Sequence, residues 1–274
     1  MNINIISRGK GHSAVAAAAY RAGETIKNEY DGQVHDYSRK TGIVHTEIMI
    51  YGRNTPDKYF DRTVLWNSVE KIEKAKNAQL AREVRLALPA ELNLEQNINL
   101  VRDYVRDNFV SHGMLADICI HDKGDGNPHA HILLTMRPLE QDGTWGAKSR
   151  MEYILDDNGE RIKLPSGRYK VKKVTATDWD ERSKAEEWRS AWADIVNVYL
   201  ENNGHETRVD HRSYERQGVE QIPTIHLGVS AHQMEQKGVK TERGDINRNI
   251  KKANERLKNI DNRIHNIKNR RYCK

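Results

Sequence analysis

Three histidines fall within one short segment, His121 ahead of His129 and His131, in the run Ile120-His-Asp-Lys-Gly-Asp-Gly-Asn-Pro-His-Ala-His-Ile132. Alternate residues of a β-strand share a face, so the imidazoles of His129 and His131 project together while Ala130 points away. Residues 114–121 are mostly apolar, and the Gly, Asp, Asn and Pro residues that follow are the types that fold a chain back on itself. His121 is therefore expected to return beside the pair. Three neutral imidazole nitrogens around one metal ion leave positions open to water or substrate oxygen, as in catalytic rather than closed structural sites. Asp122, Asp125 and Asn127 do not make this segment a calcium loop. Their spacing misses the Asp-x-Asp-x-Asp-Gly frame, and the place of the terminal Glu is taken by Leu133.

Tyr20 is the second candidate, the one reactive group in a run of alanines whose small side chains let other backbone approach closely. A phenol titrates at about 10, so as a nucleophile it needs a proton acceptor or nearby positive charge. Tyrosines in helices are in the main packing residues, so Tyr20 gains weight only from its surroundings.

The elements that must position these groups are legible from periodicity and punctuation. Residues 2–6 read as a strand. The loop 7–12 leads into a helix capped by Ser13 and stopped by Gly23, whose basic residues and free N–H groups favour an anion. Residues 34–37 and 43–51 alternate as strands, and Thr55 and Pro56 open a helix to about residue 76. Residues 80–88 alternate again, up to Pro89. A helix with the stripe Leu94, Ile98, Val101, Val105 and Phe109 precedes the histidine hairpin. The turn signals at 157–159 and 165–167 predict a projecting polar hairpin around 151–175. Asp178 with Glu181 suggests a capping box before a helix that buries Trp188, Trp192, Ile195 and Tyr199. This order predicts an α/β fold, a two-layer sandwich with a largely antiparallel central sheet. From residue 245, apolar residues recur at steps of four and three, predicting a basic amphipathic C-terminal helix that needs a partner surface.

The chain has 274 residues with 37% hydrophobic content, enough for one large domain or two small ones. No apolar run approaches a membrane span and the N-terminus lacks the pattern of a secretion signal, so no membrane insertion and a cytoplasmic location are expected. The two cysteines, Cys119 and Cys273, offer neither a disulfide framework nor a Cys-based zinc site. The formal charge is +6, but residues 243–274 hold eleven Lys or Arg against three acids, leaving the rest of the chain at about −2. Any phosphate track in the body must then be a local concentration, for which Arg8, Lys10, Arg21, Arg39 and Lys40 are the DNA-binding candidates.

Four stretches carry a resemblance: Gly11-His-Ser-Ala-Val-Ala-Ala-Ala-Ala-Tyr-Arg-Ala-Gly23, Asp36-Tyr-Ser-Arg-Lys-Thr-Gly42, Asn127-Pro-His-Ala-His-Ile-Leu-Leu-Thr135 and Ile222-Pro-Thr-Ile-His-Leu-Gly228. Over roughly residues 3–228 the chain resembles the MobA/MobL family of plasmid mobilisation relaxases, part of the wider HUH endonucleases. Ala130 stands at the hydrophobic middle position of the His-x-His motif. The resemblance implies that Tyr20 attacks a DNA phosphodiester at the nic site of a transfer origin, giving a 5′-phosphotyrosine adduct that is later rejoined. It implies that His121, His129 and His131 hold the metal, and that Glu83 orients a histidine or accepts the phenol proton. The implied partners are single-stranded DNA with an adjacent duplex or hairpin, and other transfer-complex and secretion coupling proteins. The implied relaxase domain spans 1–230, with 231–274 a basic helical tail continuing in a longer native chain. Three imidazoles favour Zn, Mn or Ni over Mg. The family implies Mg or Mn, and Mn satisfies both.

Other readings stay open at this point. One is a replication initiator or transposase, although those place the tyrosine after the histidines and Tyr20 comes before. Another is a noncatalytic DNA-binding scaffold with a structural metal, and a third is a zinc hydrolase using water. His211, Arg212 and His226 are placed equally well in DNA contact or in packing.

Overall fold

The computed structural model describes residues 1–50, 56–140 and 142–272. Its contacts divide into two units, Met1–Asp210 and His211–Lys274. The first begins with β1 (Asn2–Ser7) and α1 (Ala14–Ala22), then the short strands β2 (Thr25–Lys27) and β3 (Val34–Asp36). β4 (Ile43–Met49), α2 (Arg62–Ile72), β5 (Gln79–Ala87) and α3 (Leu94–Asn108) follow. The hairpin of β6 (Ala116–His121) and β7 (His129–Thr135), the ribbon of β8 (Ser149–Tyr153) and β9 (Val171–Thr175), and α4 (Arg182–Asn202) complete it. Five strands form one sheet in the order β1-β5-β7-β6-β4, with every neighbouring pair antiparallel.

The adjacent inner strands β6 and β7 are buried on both faces along nearly their whole length, and each face is covered by a helical pair. Ile118, Ile120, Ile132 and Leu134 pack with α3 and α4. Leu115 and Leu133, of the opposite parity, pack with α1 and α2. The antiparallel α/β sandwich therefore has a helical layer on each side of the sheet, one more than the two layers anticipated. A strand buried on both faces cannot be satisfied by one helical layer.

The alanines of α1 let it lie close on the sheet, with Ala14, Val15, Ala18 and Ala19 essentially inaccessible. Ser13 caps its first turn by accepting from the Ala16 N–H. Gly23 ends it at φ 68°, where a Cβ would meet Ile43 Cδ1 at 2.5 Å. Helix termini differ from expectation in three places. Pro56 precedes only a 3₁₀ turn, and α2 starts at Arg62 because the Asp61 carboxylate accepts from the Val64 N–H. Asn93 and Gln96 form the capping box of α3, which turns Leu94 outward and buries Leu100 and Tyr104. Asp178 pairs with Lys184 rather than capping α4. Tyr51 and Thr55 lie outside the described residues.

The second unit contains α5 (Tyr214–Gln217), α6 (Val229–Gln236) and α7 (Glu242–Tyr272). Asn254 donates to the Ile222 carbonyl and accepts its N–H, and Asn247 does the same for Ile225. Seven helical residues rise about 10.5 Å. Three extended residues span nearly the same length, about 10 Å, so the two asparagines meet both ends of the 222–225 segment. Glu235 bonds Arg248 at 2.7 Å and the Thr241 N–H at 2.6 Å. The stripe expected along α7 leaves Ile246 and Ile260 exposed.

Beneath the sheet, Asp117 of β6 is 1% exposed and receives Arg62 Nε and Nη2, both at 2.8 Å, and Trp66 Nε1 at 2.9 Å. Arg62 also pairs with Glu24. This buried network fastens α2 to the strand that ends in His121. Replacing Asp117 by Ala strands a buried guanidinium and an indole N–H, which costs about 3–5 kcal/mol. Chemical denaturation of Asp117→Ala is expected to show a loss of that size.

Candidate active site

The histidines meet because β6 and β7 pair with His121 opposite His129 and Cys119 opposite His131. All three project from the face covered by α1 and α2. Their ring centroids lie 4.6 to 5.3 Å apart, and one nitrogen from each falls within 4.8 Å of the others.

Each imidazole has its other nitrogen tied. His131 Nδ1 donates to Glu83 Oε1 at 2.7 Å, His129 Nδ1 to the Asn127 carbonyl at 2.8 Å, and His121 Nε2 to the Arg21 carbonyl at 2.7 Å. Because a carbonyl only accepts, these bonds put the proton on the tied nitrogen and leave the other lone pair bare. The bare nitrogens are Nε2 of His129 and His131 and Nδ1 of His121. Such a donor set, each ligand oriented by a second bond, fits a divalent metal. Burial holds His121 down to about 4, against the opposing bond to Arg21 and with the Lys40 charge adding to the effect. Burial also lowers His131, despite Glu83. Both are thereby kept neutral and ready to ligate.

Glu83 lies on β5 two residues from Arg85, the register partner of His131. One of its oxygens accepts from His131 and Arg21 Nε, and the other pairs with Arg21 at 2.7 Å. Burial raises this carboxyl, but the bonds and charges of His131 and Arg21 outweigh it and hold it at about 2. A carboxylate so placed is a poor proton acceptor, which favours its orienting role over the acceptance of a phenol proton.

Tyr20 precedes Arg21 on the last turn of α1, so the side chain that could attack is one residue from the carbonyl to which His121 is bonded. Its ring is 47% exposed and packs edge-on against Tyr37, centroids 5.2 Å apart. Lys40 Nζ sits 3.8 Å from the ring centroid and donates to the Tyr20 carbonyl at 2.7 Å. Burial, then the charge of Arg21, lowers Lys40 to about 8.

The basic candidates divide by what already occupies them. Arg21 is held by Glu83 and the Ala17 carbonyl. Arg8 is held by Glu70 and by the carbonyls of Glu70, Glu73 and Ala75 at the end of α2. The anion expected at the start of α1 is internal: Glu70 accepts from the Ala14 N–H at 2.8 Å. Lys10 and Arg39 are exposed. His226 lies in the second unit, its Nδ1 accepting from the Gly228 N–H and its carbonyl from Arg243. His211 and Arg212 lie in that unit too. A cavity of about 730 Å³ runs from Tyr20 and Glu83 along α1 to Tyr30 and His35. Neither of the last two has a sequence spacing that marks it.

The sequence profile of the MobA/MobL family matches residues 12–237. The chain is 34% identical over 271 residues to a probable mobilization protein MobA of Bifidobacterium longum, covering 93% of this chain and 47% of that protein. It is 37% identical over 267 residues to a conjugal transfer protein TraA of Agrobacterium fabrum, covering 92% of this chain and 23% of that protein. The chain thus spans less than half the length of these relatives. A solved structure described as "Molecular Basis of Vancomycin Resistance Transfer in Staphylococcus aureus" superposes with a TM-score of 0.61 at 33% identity, covering 78% of this chain and 97% of that one.

Two outcomes are expected of this site. Glu83→Gln should weaken Mn or Zn binding by about 10- to 100-fold in calorimetric titration, because His131 loses its charged partner. Since His121 titrates near 6.5 unfolded and about 4 folded, the unfolded chain takes up its proton first. Stability of the metal-free protein should therefore fall as pH drops from about 6.5 to about 4. Glu83, lowered from 4.5 to about 2, adds a further loss below about 4.5, and denaturation midpoints across this range measure both.

Proposed function

The chain belongs to the MobA/MobL family of mobilization relaxases, and from that premise we propose that it nicks and rejoins one DNA strand at a plasmid transfer origin, with Tyr20 as nucleophile. The observation that carries this reading is the bond from His121 to the Arg21 carbonyl, which couples the residue next to Tyr20 to the three-histidine cluster.

In the proposed step the Tyr20 Oη forms a bond to phosphorus and the P–O3′ bond breaks. The 5′ end is left as a phosphotyrosine diester, and the 3′ oxygen departs and takes a proton from solvent to become a hydroxyl. One diester replaces another, so the step reverses when the 3′ hydroxyl returns. His121, His129 and His131 would hold a divalent ion, Mn or Mg, whose contribution is to polarise the scissile phosphate and stabilise charge in the transition state. Glu83 fixes the His131 ring, and its ion pair with Arg21 fixes the end of α1. Lys40, lowered to about 8 and resting on the Tyr20 ring, has a fraction of free amine near neutral pH that can take the phenol proton, leaving an ammonium beside the new ester. Lys40 thus serves the nucleophile rather than only the DNA backbone, while Lys10 and Arg39 remain as phosphate contacts.

The nic region binds as a single strand, because a backbone held in intact duplex cannot reach a tyrosine in a cleft without local melting. An adjacent duplex or hairpin and coupling proteins of the transfer apparatus are the further partners, in the cytoplasm. No described helix is long and apolar enough to cross a membrane.

Incubating the protein with a single-stranded transfer-origin oligonucleotide and Mn is expected to give a covalent adduct on denaturing gels. Tyr20→Phe should abolish the adduct while retaining DNA affinity. An adduct that survives in Tyr20→Phe rules out this nucleophile, and strand cleavage without any adduct points to hydrolysis by water. Lys40→Met should slow adduct formation by about 10²-fold or more, the usual scale of a lost proton acceptor, and change DNA affinity by much less in a filter-binding assay.

A further inference from the structure

The cavity that begins at Tyr20 has walls that suit a different part of the substrate from the scissile phosphate. Two of its cations are already neutralised, Arg8 by Glu70 at 2.6 Å and Arg21 by Glu83 at 2.7 Å. Asp31 also lines it. A phosphate entering it would meet the carboxylates of Asp31, Glu70 and Glu83 against Lys10, with both arginines already paired. What it offers instead is an aromatic face and an unused polar atom. Tyr30 is 57% exposed, with the Arg8 guanidinium stacked on its ring at 4.1 Å. His35 Nε2 is buried and has no hydrogen-bond partner among the described residues, a state that buried polar atoms rarely keep without a ligand or water.

The platform is also rigid. In the turn between β2 and β3, the Tyr30 N–H donates to the Asn28 side chain at 3.0 Å and the Glu29 N–H to the Asn67 side chain at 2.8 Å. Asn28 is 1% exposed and Asn67 6%. Lys10, which also lines the cavity, is exposed and able to meet the phosphate joined to a group stacked there.

The geometry points to a nucleobase pocket: one unpaired base next to the cleaved bond leaves the strand and stacks on Tyr30, and His35 Nε2 hydrogen-bonds its edge. This rests on the reading of the protein as a DNA nickase, because the cavity is continuous with Tyr20. It adds the residues that choose sequence at that position. A flat, uncharged base matches walls whose arginines are both paired to buried carboxylates, and stacking on an exposed tyrosine supplies affinity without regard to which base it is. The lone imidazole nitrogen supplies the choice.

The test is a cycle between protein and DNA, using the whole chain and transfer-origin oligonucleotides in which one position at a time is made abasic. In the wild-type protein one position beside the nic is expected to lose about 5- to 100-fold in affinity when its base is removed. Tyr30→Leu should lose a similar factor with intact DNA and lose little more at that abasic position, whereas Tyr30→Phe should bind as wild type. His35→Leu should reduce discrimination among the four bases at that position from about fivefold, the worth of one hydrogen bond, to none. Full additivity of Tyr30→Leu with every abasic site overturns the pocket. So does the absence of any sensitive position in wild-type protein, a result that does not depend on any variant folding. If the coupling is found but no adduct forms, the nicking reading fails and the pocket stands as a single-strand binding site. If the adduct forms without coupling, the reverse holds.

Discussion

One buried carboxylate holds the two halves of the site together. Glu83 faces His131 on the neighbouring strand and Arg21 on the helix above, and both meet it at 2.7 Å. Without it, His131 would be free to turn its ring, and the end of α1 would lose the ion pair that fixes it to the sheet. The bond from His121 to the Arg21 carbonyl closes the same loop from the other side. Strand, helix and strand are thus connected through polar atoms in a region where a misplaced charge is costly, which makes the arrangement specific as well as stable.

Elsewhere the same solution recurs. Glu70 binds the first turn of α1 and Arg8 together, and Asp117 binds Arg62 and Trp66. Of the acids and bases in this half of the chain, several that resemble ligand contacts in sequence are internal partners for one another. The net charge of the body says little about where DNA could lie, because a cation already bonded to a buried carboxylate contributes almost no field at the surface. Lys40 differs: it is half-buried against Tyr20 and bonds the Tyr20 carbonyl, and among the described residues no acid pairs with it to cancel its charge.

Much of this was legible. The histidine hairpin, the alanine-rich helix with its Ser13 and Gly23 ends, the alternating strands and the buried tryptophans of α4 all follow from local spacing. The start of α2 was not, because Pro56 satisfies the same local rule as a helix start while Asp61 provides the cap that is used. Nor was β2, whose three residues gain their register only by pairing with β3. Tyr30 and His35 have no motif at all. Their candidacy comes from a turn pinned to α2 by Asn67 and from a nitrogen left without a partner among the described residues.

The sequence by itself determined which chemistry was available: three imidazoles spaced for one face of a hairpin, a phenol in a helix of small residues, and the order of strands and helices. These depend on the periods of two and 3.6 residues, which act over a few neighbours. Only the tertiary structure decided which of the charged residues were spent. Arg8 and Glu70 are 62 residues apart in the chain, as are Arg21 and Glu83, and no local period relates them. Long-range pairing inside a low-dielectric interior assigns those charges to the fold and leaves a smaller set for a substrate.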